Sequence, residues 1–219
     1  MPSLLDPLDI LISDILLYND LASLIIFVLI LFLTHFSDIR LNTLDNYVDS
    51  FVIVEATLDH AGNRKKLNFD VKNFTKFKKK INYIIVEDMP KKVDKIKKNW
   101  HSAHTRDQFQ RNALERGYRN FDDDDLIMIS DIDEIPNPNK ISEFKIQNKY
   151  ACFIQKNFQA KINRLNTTIS NWPGTKICQK KFLKSPQWLR NLKNKKTKFW
   201  QFYKDKEPQI ILDGGWHFS

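Results

Sequence analysis

The stretch Asp125-Leu126-Ile127-Met128-Ile129-Ser130-Asp131-Ile132-Asp133-Glu134 decides how this chain is read. Four β-compatible apolar residues, bounded by acids and then by Pro136, predict a buried strand. Asp131 and Asp133 leave its exit two residues apart, and in extended backbone that spacing puts both carboxylates on one side. Paired hard oxygen ligands suit Mg2+ or Mn2+, which bind through one or two carboxylates together with substrate phosphates. In open α/β sheets such ligands bind beyond the carboxyl ends of the strands. The plainer reading of the same residues is an acidic turn, since Asp favours turns.

Working outward, Phe51-Val52-Ile53-Val54-Glu55-Ala56 and Ile81 to Val86 are two further apolar runs of strand length. Between them, Asp70 to Lys80 carries Val71, Phe74 and Phe77 at helical spacing under a Lys-rich face, predicting an amphipathic helix. Ser102 is a candidate cap for a helix reaching about Arg119 and stopping near Gly117. Phe109, Ala113 and Leu114 form its apolar stripe; Gln108, Arg111, Asn112 and Glu115 form a polar face. Strands alternating with helices predict an α/β fold with a mostly parallel central sheet and right-handed crossovers. Tyr150 to Phe158 and Gln209 to Leu212 read as later strands, with Trp172-Pro173-Gly174 between them.

The 219 residues suit one domain, and a 42% hydrophobic fraction argues against wholesale disorder. A net charge of +9, mostly from Lys, suits polyanionic partners without choosing among nucleotides, nucleic acid and acidic membranes. From Lys176 to Lys206 basic residues alternate with Trp188, Phe199, Trp200, Phe202 and Tyr203 against the single acid Asp205. Such a stretch fits single-stranded nucleic acid, but equally a solvated basic surface over aromatic core residues, the reading preferred here. Cys152 and Cys178 are the only cysteines, which excludes a Cys-based zinc site. Asn73-Phe74-Thr75 and Asn166-Thr167-Thr168 fit the glycosylation pattern without fixing a compartment.

Leu21 to Phe36 is apolar except for Ser23, Thr34 and His35, and falls short of the roughly 20 residues that cross a bilayer. Asp9, Asp14 and Asp20 precede or border it, and no Lys or Arg occurs before Arg40. An apolar N-terminal helix serving as a short membrane anchor is one reading of residues 1–36, and a buried core segment is the other. The first implies a Golgi-like, single-pass location, the second a cytoplasmic one.

In order, Ile39-Arg40-Leu41 with Leu44-Asp45, Phe51 to Thr57, Gln110-Arg111-Asn112-Ala113, Asp124 to Pro136, and Gly215-Trp216-His217-Phe218-Ser219 resemble glycosyltransferase family 17. The resemblance covers about residues 37–219 and implies a GT-A-like nucleotide-sugar-binding domain there. It implies transfer of N-acetylglucosamine from UDP-N-acetylglucosamine to a mannose-containing N-glycan or glycoprotein, metal-assisted and with inversion. It also implies that family members continue past Ser219, and that the segment Leu21–Phe36 is unusual where it stands.

Within that reading, Asp131 and Asp133 hold Mn2+ or Mg2+ against the donor diphosphate, with His217 as a candidate third ligand beside Gly214-Gly215. The alternative for His217 is a structural histidine beside Trp216. Asp131, Arg111 and Asn112 are placed to contact the nucleotide, Arg111 being the better bidentate phosphate binder; its alternative is a pair with Glu115 on one helix. Glu55, ending an inner strand, is a candidate contact for uridine or ribose. Inversion needs a carboxylate base, for which Glu134 and Asp213 are the candidates. Two rivals stand beside the transferase: an inactive relic that only binds nucleotide-sugar, and a metal-dependent phosphoryl-transfer or nucleic-acid-binding domain.

Overall fold

The computed structural model describes residues 36–59, 61–90, 99–161, 163–194 and 207–219. The N-terminal helix expected before residue 36, and most of the aromatic-basic stretch, lie outside these residues. Among the described residues no helix is long and apolar enough to cross a membrane.

Residues 36–44 are helical (α1) and lead to β1, Phe51–Ala56, which pairs in parallel with β2, Ile81–Val86. Between them the expected amphipathic helix is a 3-10 segment, Val71–Phe77, kinked at Phe74. Phe74 and Phe77 still turn inward, packing with Leu41, Leu44 and Phe51. The helix predicted from Ser102 begins earlier and is split into α2, Asn99–Asn112, and α3, Glu115–Tyr118. The helix ends at Tyr118, one residue past Gly117, as expected; a Cβ at Gly117 would lie 2.3 Å from Val52 Cγ1, so glycine lets α3 press against β1.

β3, Leu126–Ile129, opens a six-stranded sheet with β4 (Glu134–Pro136), β5 (Tyr150–Phe158), β6 (Asn171–Gln179), β7 (Gln209–Ile211) and β8 (Gly215–Phe218). Its path is β3-β6-β5-β8-β4, with β7 beside β5. The expectation of a mostly parallel central sheet is corrected here. β3–β6, β5–β6 and β4–β8 are antiparallel; only β7 and β8 join β5 in parallel. β5 and β6 follow one another with no helix between them, as suits an antiparallel pair, whereas β3–β6 and β4–β8 join strands far apart in the chain. Trp172-Pro173-Gly174, expected between strands, lies inside β6, where the β5–β6 register shifts.

The core divides accordingly. Ile127, Ile129, Tyr150, Cys178 and Leu189 pack under β3 with Tyr118, while Ala151, Phe153, Ile177 and Ile211 fill the other face of the large sheet. α4, Pro186–Asn191, begins with Ser185 Oγ accepting from Trp188 N, and Pro186 occupies its first turn. This short helix carries Arg190 to the edge of β3 and β4.

Candidate active site

An open cleft of about 1260 Å³ runs between β1 and β3, apolar at its base and charged at its mouth. Arg40, Arg111, Asp131, Asp133, Trp172 and His217 line that mouth.

The chain between β3 and β4 is not extended. Glu134 N donates to Asp131 O at 3.1 Å, closing a tight turn over Asp131–Glu134. The two aspartates therefore take different partners instead of facing one way. Asp131 is gripped by two arginines, Arg111 at 3.1 Å and Arg190 at 3.0 Å. Asp133 points instead to His217, whose Nε2 lies 3.6 Å from its Oδ2.

Glu134 is the most enclosed acid of the group, 1% exposed. It accepts from Trp172 Nε1 at 2.8 Å, from Arg190 Nη1 and Nη2 at 2.9 Å each, and from Asp131 N at 3.2 Å. Burial alone would weaken the charge of Arg190, but the Glu134 and Asp131 carboxylates outweigh it and raise its pKa. Arg40 is the converse: burial lowers its pKa despite the same acids. Its guanidinium ties down the turn through Asp131 O at 2.8 Å, Glu134 O at 3.2 Å and the Ser130 hydroxyl.

Arg111 and Asn112 share one task. Arg111 does not pair with Glu115; it bonds Asp107, Asp131 and Gln187 Oε1. Asn112 Oδ1 accepts from Gln187 N at 3.0 Å, so Asn112 anchors α4 and has its carbonyl committed there. Together these contacts aim Arg190.

His217 is held on three sides. Asn157 Nδ2 donates to Ile169 O at 2.9 Å, which turns Asn157 Oδ1 toward His217 Nδ1 at 2.8 Å. That orientation makes Asn157 Oδ1 the acceptor for Nδ1–H and turns the Nε2 edge of the ring to Asp133. The ring stacks on Trp172 at 4.3 Å and 9°. Trp172 thus links His217 to Glu134.

Three expected site residues sit differently. Glu55 does not line the cleft. Its carboxylate binds Lys65 Nζ, Asn68 N, Phe69 N and Tyr83 Oη, stapling the 65–69 segment to the end of β1. Burial would raise its pKa, yet Lys65 and the backbone donors hold it below the ordinary carboxylate value. In this arrangement the candidate uridine contact has its carboxylate engaged by the fold. Glu134, one of the two candidate bases, has both oxygens bonded to Trp172, Arg190 and the Asp131 amide. Asp213 is exposed in the turn before β8 at φ 50° and does not line the cleft.

Among the described residues no group of three His, Cys, Asp or Glu is arranged to hold a metal. Asp133 and His217 nevertheless form a carboxylate–imidazole pair 3.6 Å apart, which fits a divalent cation completed by substrate oxygens. Asp131, as placed, is committed to arginine.

Arg190 was not singled out from sequence, although it is the only Arg among the Lys residues of 176–206. Trp172 stands out in sequence only as part of Trp172-Pro173-Gly174, and Asn157 carries no local signal.

Residues 23–170 match the glycosyltransferase family 17 model. That is more than half of the chain, and the chain belongs to this family. The match takes in α1 through β5 and the Asp131–Glu134 turn, while Trp172, Arg190 and His217 follow it. No curated protein and no solved structure matches the chain.

Proposed function

We propose that the cleft mouth binds UDP-N-acetylglucosamine and that the protein transfers its sugar, with inversion, to a mannose-containing glycan on a protein. The observation that carries this reading is the Asp133–His217 pair, open to the cleft and flanked by three arginines. Asp133 and His217 would hold Mn2+ or Mg2+, which supplies positive charge against the diphosphate as the leaving UDP gains charge.

The chain's own residues have separable roles. Arg111 is placed to exchange its bond to Asp131 for a bond to a donor phosphate, guanidinium being suited to bidentate phosphate recognition. Arg190 and Trp172 fix Glu134, and Glu134 fixes the turn that presents Asp133. Asn157 keeps the His217 Nε2 lone pair facing the cleft. Inversion also needs a carboxylate to take the acceptor hydroxyl proton, a role for which Asp213 and Glu134 stay the candidates, Asp213 being the exposed one. A GT-A-like arrangement, a lumenal N-glycan acceptor and attachment to a membrane belong to the same proposal.

The test is UDP release from UDP-N-acetylglucosamine in the presence of a mannose-terminated N-glycan, with Mn2+ and with chelator. Turnover that requires the cation and is lost in Asp133→Ala supports the reading. Cation-independent turnover, or full activity in Asp133→Ala, contradicts it.

A second reading follows from Asp131 being bound by Arg111 and Arg190. An arginine-lined mouth binds a diphosphate without any cation, so the chain would hold nucleotide-sugar and not turn it over. Binding unaffected by chelator, with no UDP release, distinguishes this case.

A further inference from the structure

Lys176 opens the basic stretch whose pattern suits a solvated surface, yet it is only 4% exposed. It lies within β6, opposite Ile129 of β3 and Cys152 of β5. Ile129 belongs to the apolar cluster of Tyr150, Cys178 and Leu189. Among the described residues Lys176 forms no ion pair. Its ammonium donates instead to two backbone carbonyls, Arg190 O at 2.6 Å and Leu192 O at 2.5 Å. Burial lowers its pKa. A buried cation without a carboxylate partner is costly, and an apolar side chain of similar volume would fill the place at less cost. What the lysine adds is the pair of carbonyl bonds.

Those carbonyls belong to the end of α4. A helix leaves its last carbonyls without intrahelical partners, and a cation there also suits the negative end of the helix dipole. α4 has 6 residues, too few to hold a helix unaided. Its start is fixed by Ser185 Oγ on Trp188 N and by Asn112 Oδ1 on Gln187 N. Its end is fixed by Lys176.

Arg190 is thereby held twice by β6. Its carbonyl is bonded by Lys176, and its guanidinium donates to Gly174 O at 2.8 Å on the same strand. From that seat Nη1 and Nη2 reach Glu134, and Nη2 reaches Asp131 at 3.0 Å. Glu134 accepts in turn from Asp131 N, within the turn that carries Asp133. A continuous series of bonds therefore joins the buried lysine to the cation corner without the lysine entering it.

We propose that Lys176 is a positioning residue: by fixing the end of α4 it sets the reach of Arg190, and through Glu134 the placement of Asp133. The proposal rests on the reading of Asp133 and His217 as the cation site of the donor. Charge and position make opposite predictions here. Lys176 lies close enough to Glu134 and Arg190 for their charges to act on one another. By charge alone, removing a positive group beside these acids tightens cation binding. By position, removing it frees Arg190, loosens Glu134 and weakens cation binding.

The test compares two full-chain variants, Lys176→Met, which keeps the stem without its donors, and Lys176→Arg, which keeps charge and donors. Calorimetry reads the Mn2+ concentration that half-saturates binding of UDP-N-acetylglucosamine. NMR reads the Trp172 indole N–H, assigned with Trp172→Phe, which reports the bond to Glu134. Lys176→Met should raise the half-saturating concentration about tenfold or more and shift the indole resonance. Lys176→Arg should lie nearer to wild type in both. An unchanged or lowered half-saturation, an unmoved resonance, or the reverse order of the two variants would overturn the proposal. Where Lys176→Met does not fold, Lys176→Gln, whose amide is too short to reach both carbonyls, takes its place under the same criteria. Should the folded wild-type chain bind no donor, the donor reading fails by itself, and the indole resonance alone decides the role of Lys176.

Discussion

Asp133 and Glu134 are adjacent in sequence and opposite in circumstance. Glu134 is 1% exposed and takes bonds from Trp172, Arg190 and the Asp131 amide. The Asp133 side chain is 34% exposed and faces His217 across 3.6 Å. A buried charge with every lone pair used is architecture, because removing any partner strands it in low dielectric. A part-exposed carboxylate beside an imidazole nitrogen is the donor set that suits a divalent cation. Glu55 falls on the Glu134 side of this division, its oxygens committed to Lys65, Tyr83 and two backbone amides.

The comparison breaks most visibly at Arg190. Arg190→Ala leaves Glu134 buried without its cation and should cost about 3–5 kcal/mol in chemical denaturation. A loss under 1 kcal/mol would mean that Glu134 is not held as described.

At Glu55 the expected loss is smaller. Glu55→Gln gives up charge-assisted bonds to Lys65 and two amides and should cost about 1–3 kcal/mol. Its pH dependence has a definite sign. The folded-state pKa lies below the ordinary value, so the contribution is full above the unfolded pKa and is lost as pH falls through the folded one. The wild-type advantage over Glu55→Gln should therefore shrink on acidification, read from denaturation midpoints across pH.

Asp133→Asn should change stability by less than about 1 kcal/mol, since the group has one weak partner. It should still remove cation-dependent donor binding. A large stability loss with binding intact would reverse the contrast with Glu134. The smallest effect is expected at the exposed pair Lys181–Asp124, where Lys181→Ala should fall within about 1 kcal/mol.

These contrasts also explain what the sequence could convey. β1, β2, β3 and β5 are apolar runs of strand length, and each forms where its pattern predicts. β4 is a three-residue strand containing Pro136, and β6 contains Pro173 and Gly174, so neither carries a readable period. The antiparallel half of the large sheet was hidden for that reason. At the site, Asp131, Asp133, His217 and Arg111 were legible as residue types at suggestive positions. Their partners were not. Spacing two apart implies a shared face only in extended backbone, and the Asp131–Glu134 turn sends the two aspartates to different neighbours. Arg190 lies 59 residues from Asp131 in the chain and meets it only because Arg111 and Asn112 seat α4 through Gln187. No local pattern encodes such a meeting.

The central claim is that the Asp133–His217 corner is where the donor binds, and calorimetric titration of UDP-N-acetylglucosamine into the full chain tests it most directly. The account predicts a heat that requires Mn2+, vanishes with chelator and is absent in Asp133→Ala. No binding by the folded wild-type chain, or equal binding by Asp133→Ala, would contradict it.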